Sequence, residues 1–179
     1  MSMFRTLAES PSVITLYHYA GNPLSVKMLD ILKKERVCKG VKEKNIKHGF
    51  LSQIFGDRKK LSSGIYRYKI DVSNSIPTKK QFDLMLTYAA TSPAVKKALL
   101  SAFPKVTVTS LDNYSYAKAF PPEALHQDQT PKSQEYMIKH NFFVPPLAVD
   151  WEHRYLVSDS EDLKRLLQKY HTDSKITNN

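Results

Sequence analysis

Two adjacent prolines followed by a strand, a turn, a second strand and a helix constrain the fold of this chain more tightly than any other feature. Pro145 and Pro146 lead into an apolar run, Leu147 to Val149, that predicts a strand. A polar break at Asp150 to His153 follows, then a second short strand over Tyr155 to Val157. Ser158 with Glu161 three residues on has the capping-box spacing, in which two side chains satisfy orphan amides at a helix start. Leu163, Leu166, Leu167 and Tyr170 recur at helical period, so the segment from Ser158 predicts a helix with one apolar face.

The amino-terminal third has the complementary pattern. Val13 to His18 is a β-branched and aromatic run after Pro11 and predicts a buried strand. Asn22-Pro23 then starts a helix with Leu24, Met28, Ile31 and Leu32 on one face. It closes on Lys33, Lys34 and Arg36, cations suited to the negative end of the helix dipole. Residues 37–63 read as an insertion, within which Ile46, Phe50, Leu51, Ile54 and Phe55 repeat at helical spacing. Ile65 to Val72 alternates as a half-exposed strand does. Thr78 with Gln81 forms another capping box, ahead of a helix with Phe82, Met85, Leu86 and Ala89 on one side. Ser92-Pro93 opens a further helix with Val95, Leu99, Ala102 and Phe103 inward, proline being suited to the first helical position. Pro104 to Asp128 predicts a long loop holding a strand at Val106 to Val108, and Thr130-Pro131 caps a helix running to His140.

The predicted order is β-α-insertion-β-α-α-loop-α-β-β-α. A crossover helix lets the first two strands pair in parallel, and the closing pair forms an antiparallel hairpin. The expected fold is therefore α/β and thioredoxin-like: a central mixed four-stranded sheet flanked by helices, with a basic insertion. One domain is expected over residues 1–171, a usual size for a single core, with a polar flexible tail at 172–179. In such a fold the proline before the central strand is cis and faces a substrate groove. His18, Asn22 and Pro145 are the expected groove residues, with the Val144–Pro145 bond beside them.

That fold suggests thiol chemistry, yet the chain has a single cysteine. A reactive thiolate needs a helix amino terminus or a cation beside it. The loop His18-Tyr19-Ala20-Gly21-Asn22-Pro23 holds no sulfur, and Cys38, beyond the far end of the helix, reads as a spectator thiol. The lone cysteine also excludes an internal disulfide. Histidines 18, 48, 126, 140, 153 and 171 lack zinc-site spacing, there is no glycine-rich phosphate loop, and nothing groups a Ser-His-Asp triad. No cofactor and no metal are expected. Trp151 reads as a packing anchor, and Tyr114, Tyr116 and Phe120 beside Lys118 as weak base-stacking candidates.

Charge is the other unusual feature. The net charge is +10, and between Lys33 and Lys60 ten basic residues face three acids, so seven of the ten excess charges lie in one segment. Such a cluster attracts an acidic protein, RNA or an anionic membrane, although a basic amphipathic helix also docks on its own domain. No apolar run reaches the roughly 20 residues of a membrane-spanning helix. At the amino terminus, Glu9 and the short length make MSMFRTLAES a poor mitochondrial presequence.

Several segments resemble one family. They are Phe4-Arg5-Thr6-Leu7 with Pro11, the strand Ile14 to Tyr17, Lys27 to Lys33, and Pro77-Thr78 through Gln81 to Met85. The strongest is Leu147-Ala148-Val149-Asp150-Trp151-Glu152 with the helix after it. Together they are similar to a fungal family of mitochondrial redox proteins with a thioredoxin fold, long catalogued as a fungal domain of unknown function and represented in budding yeast. The basic insertion is extra to that pattern. The resemblance implies a mitochondrial protein that reduces small molecules through one cysteine, carried on the helix before the proline and the Val-Asp-Trp strand. Gln134 to His140 is the corresponding stretch, and Met137 stands at the cysteine position. A thioether forms no thiolate, and Cys38 matches no family position. Two functions follow as expectations. One is a thiol-oxidoreductase-family protein for a small-molecule or thiol substrate, with its own catalysis degenerate. The other is a non-catalytic binding module that uses the groove and residues 33–60. Neither substrate nor oligomeric state is legible.

Overall fold

Strand β1 (Ser12–Tyr17) carries four consecutive buried residues, Ile14 to Tyr17, because it is covered on both faces and paired on both edges. The computed structural model describes residues 12–36, 67–106, 119–121 and 131–173. After β1 come α1 (Pro23–Glu35), β2 (Tyr68–Ser73), α2 (Lys79–Thr91) and α3 (Pro93–Ala102). Then follow α4 (Pro131–Lys139), β3 (Leu147–Asp150), β4 (Tyr155–Val157) and α5 (Ser160–Asp173). The basic insertion, Cys38, the strand expected at Val106 to Val108 beyond Val106 itself, and the chain before Ser12 lie outside the described residues.

The strands form one mixed sheet in the order β2-β1-β3-β4. β1 pairs in parallel with β2, from Ser12 opposite Tyr68 to Tyr17 opposite Ser73. On its other side β1 runs antiparallel to β3, with Thr15 opposite Val149 and Tyr17 opposite Leu147. The β3–β4 hairpin completes the sheet. This is the strand order and direction expected of a thioredoxin-like fold, and it joins the first and last thirds of the chain into one body.

Two apolar layers cover the sheet. Alternating residues send Ile14, Leu16, Tyr68, Ala148 and Val157 to one face, against Met28 and Leu32 of α1 and Leu163, Leu166 and Leu167 of α5. The other face takes Tyr17, Leu147, Val149 and Leu156 against α2, α3 and Met137 of α4. There Phe82, Phe103 and Phe120 pack with ring centroids 5.1 to 5.7 Å apart. Phe120 is fully buried, which removes it from the base-stacking candidates; Tyr114 and Tyr116 lie outside the described residues.

The starts of α2 and α3 follow local sequence signals. The Thr78 hydroxyl accepts from the Gln81 amide while the Gln81 side chain accepts from the Thr78 amide, as its capping box predicts. Pro93 occupies the first turn of α3. At α5 the expectation needs correction: Asp159, not Ser158, is the cap. Its Oδ1 accepts from the amides of Glu161 and Asp162 at 2.9 and 2.8 Å. A carboxylate at this place also meets the positive end of the helix dipole, which a hydroxyl serves less well.

Candidate functional site

The carboxyl end of β1 and the residues entering β3 meet at one end of the sheet, and a groove of about 330 Å³ opens there. Tyr19, Gly21, Asn22 and Pro23 line it from the β1–α1 loop, and Ile138, Phe143, Val144 and Pro145 from the opposite side. Two backbone devices build it. On the first side Asn22 caps α1, its Oδ1 accepting from the amides of Leu24 and Ser25 at 2.9 and 3.4 Å. The Val26 amide donates to the Asn22 carbonyl at 3.2 Å. Pro23 has no amide, so the opening amides of this helix are all engaged or absent.

On the second side α4 ends in a Schellman turn. Asn141 takes the left-handed conformation at φ 56°, the Asn141 amide donates to the Ile138 carbonyl at 3.0 Å, and the Phe142 amide to the Met137 carbonyl at 2.8 Å. Asparagine substitutes for glycine there because it tolerates that backbone region. The turn throws Phe143, Val144 and Pro145 back along the groove. Asn22 then clamps the two sides together, its Nδ2 donating to the Pro145 carbonyl at 2.7 Å.

The cis peptide is the Pro145–Pro146 bond, so the cis residue directly before β3 is Pro146. The Val144–Pro145 bond singled out in the sequence is not cis. Pro145 nevertheless lines the groove, as does Asn22. His18 does not. It sits behind the wall, Nδ1 2.8 Å from the Ser25 hydroxyl, its amide donating to Ser73 at 2.8 Å and its carbonyl accepting from Gln134 Nε2 at 3.2 Å. Ser25 is fully buried and also accepts from the Tyr19 amide at 3.0 Å, so this set fixes the loop shape.

Met137 is completely buried in the core beneath α4. Its neighbour Ile138 lines the groove, since each helical residue turns about 100° from the last. The position at which the resemblance implies a cysteine therefore faces away from the groove. Cys38 lies outside the described residues; Arg36, the last described residue before it, ends a helix roughly 20 Å long from its cap at Asn22.

Sequence reasoning missed Tyr19, Gly21, Pro23, Ile138, Phe143 and Val144. Asn141 followed by two apolar residues was the readable signal for the turn. It also missed a polar cluster at the opposite end of the sheet. Asp150 is fully buried, its Oδ1 accepting from the amides of Glu152 and His153 at 3.2 and 3.1 Å. Its Oδ2 accepts from the Tyr170 hydroxyl at 2.7 Å and contacts His153 Nδ1 at 2.8 Å. Burial, then the bond to Asp150, pushes the Tyr170 phenol well above the ordinary tyrosine range. Burial likewise raises Tyr68, whose hydroxyl donates to the Leu32 carbonyl at 2.9 Å. The Ser12 hydroxyl donates to Glu152 beside this cluster. Among the described residues, no group of three or more His, Cys, Asp or Glu side chains is arranged to hold a metal ion, and no helix is long and apolar enough to cross a membrane.

A family model described as a protein of unknown function (DUF1687) matches residues 4–159. No curated protein and no solved structure gives a match. The match bears on membership and says nothing of redox chemistry. Spanning most of the 179 residues, from ahead of β1 to the cap of α5, it makes this chain a member of the DUF1687 family.

Proposed function

We propose that this chain is a binding protein of thioredoxin-like architecture, whose groove holds a ligand without forming a covalent bond to it. One observation carries the reading. The eight described residues that line the groove contain no thiol, imidazole, carboxylate or ammonium group. Thiol chemistry in this architecture calls for a sulfur stabilised by free helix-start amides, and here Asn22 engages those amides itself. The volume is at the small end of ligand sites, about 300–1,000 Å³. Mitochondrial residence accompanies the proposal on the family resemblance alone.

The test is a pair of measurements on the full chain. Reduction of glutathione disulfide and of peroxide is expected at background rate in wild type and Cys38→Ser alike. Turnover that disappears in Cys38→Ser would replace this reading with the oxidoreductase one.

A further inference from the structure

We infer that the groove selects a small, uncharged, largely apolar molecule, and refuses both an extended peptide strand and an anion. The inference rests on the binding reading above and adds the ligand class. Three exclusions lead to it.

A peptide that docks as an added strand needs free main-chain donors and acceptors along one wall. Here the wall is Val144–Pro145. The Val144 amide already donates to the Ala102 carbonyl at 2.8 Å. Pro145 has no N–H, and its carbonyl accepts from Asn22 Nδ2 at 2.7 Å. An anion needs a cation or orphan amides. No described residue that lines the groove is charged, and the amides of Leu24, Ser25 and Val26 are engaged by Asn22. A cation needs a carboxylate, and none lines the groove among the described residues. What remains on offer is apolar surface: the ring of Tyr19, Pro23, Ile138, and Val144, which is 39% exposed, while Phe143 is fully buried behind them.

Tyr19 sets the shape of the opening. A Cβ at Gly21 would lie 2.7 Å from the Tyr19 ring, so the ring rests over Gly21 because that residue has no side chain. Gly21→Ala would push the ring aside at modest cost, since the obstructing atom belongs to the far end of a side chain rather than to backbone.

The experiment compares two dyes with the same ring system, N-phenyl-1-naphthylamine and its anionic relative 8-anilinonaphthalene-1-sulfonate, at about 0.15 M salt. The +10 net charge by itself favours the sulfonate, so preference for the neutral dye cannot come from the long-range field. The neutral dye is expected to bind at least about tenfold more tightly, because the groove leaves a buried sulfonate without partners. Val144→Glu, at a rim position, and Gly21→Ala are each expected to weaken it several-fold with circular dichroism unchanged. Asn22→Gly, which frees two amides at little cost to the cap, is expected to shift relative affinity toward the sulfonate. A capped, uncharged Val-Thr tetrapeptide is expected not to displace the dye. Equal affinity for both dyes with loss in Val144→Glu, or displacement by the peptide, overturns the ligand class while the binding reading stands. No binding of the neutral dye, or binding that Val144→Glu leaves untouched, overturns both.

Discussion

Asp150 lies in the segment that carries the strongest family resemblance, Val-Asp-Trp-Glu, and each polar member of that segment has a structural partner. The Asp150 carboxylate draws the β3–β4 turn, His153 and Tyr170 of α5 onto one point. The Trp151 indole donates to the Thr15 hydroxyl at 2.9 Å, and Glu152 accepts from Ser12. The segment thus clasps β1, the hairpin and α5 at the end of the sheet remote from the groove. Three donors, the amides of Glu152 and His153 and the Tyr170 hydroxyl, face the two oxygens of Asp150, with His153 Nδ1 2.8 Å away. Asp150→Ala is expected to lower stability by about 3 kcal/mol, since it leaves buried donors unpaired. The urea midpoint at unchanged slope reads this out, and a loss under about 0.5 kcal/mol would refute the clasp. The two buried phenols add an alkaline limit. Their folded pKa values lie above the unfolded value of about 10, so their contribution is full below that pH and declines as pH rises past it. Stability should therefore fall above about pH 10, and fall less steeply in Tyr68→Phe and Tyr170→Phe than in wild type.

At the scale of elements, helix starts decide where side chains are delivered. Asn22 and Asp159 both satisfy amides, but only Asn22 has a spare amide hydrogen to reach another element, and that difference makes it part of the groove. Burial works against ionisation of Asp159. The amides of Asp162 and Glu161 outweigh it, and the carboxyl lies below the ordinary range. Asp159→Ala is expected to cost about 1 kcal/mol at neutral pH. Because the folded pKa is the lower one, that difference should be present above the usual carboxylate range and close as pH drops through the folded value. Paired chemical denaturations across the acid range measure it; a gap that stays constant with pH would assign the loss to packing. Capping boxes and apolar stripes made α1, α2, α3 and α5 legible from residue order, because each depends on neighbours within about four positions. The spacing from Ser158 to Glu161 matches a capping box, yet the cap is Asp159. Only the observed backbone separates two candidate caps one residue apart.

For the whole molecule, the pairing of β1 with β3 puts the catalytic expectation and the groove in different places. Met137 sits where the family resemblance puts a cysteine, yet it is fully buried, in one core cluster with residues of the sheet, α2 and α3. Met137→Cys in a Cys38→Ser background is expected to give a thiol that a disulfide reagent reaches only after denaturation. Rapid modification of the native protein would move this position to the surface and reopen the oxidoreductase reading. The alternation of strands, the helix periods and the caps, and with them the fold class, follow from residue order, since backbone sterics and amphipathic burial act locally. The groove does not follow from it. Asn22 and Pro145 are 123 residues apart, the cis bond chose the second proline over the first, and Met137 and Ile138 part company by one helical step. Such outcomes depend on which surfaces the packed sheet leaves open, and close packing across distant segments settles that only once the chain is assembled.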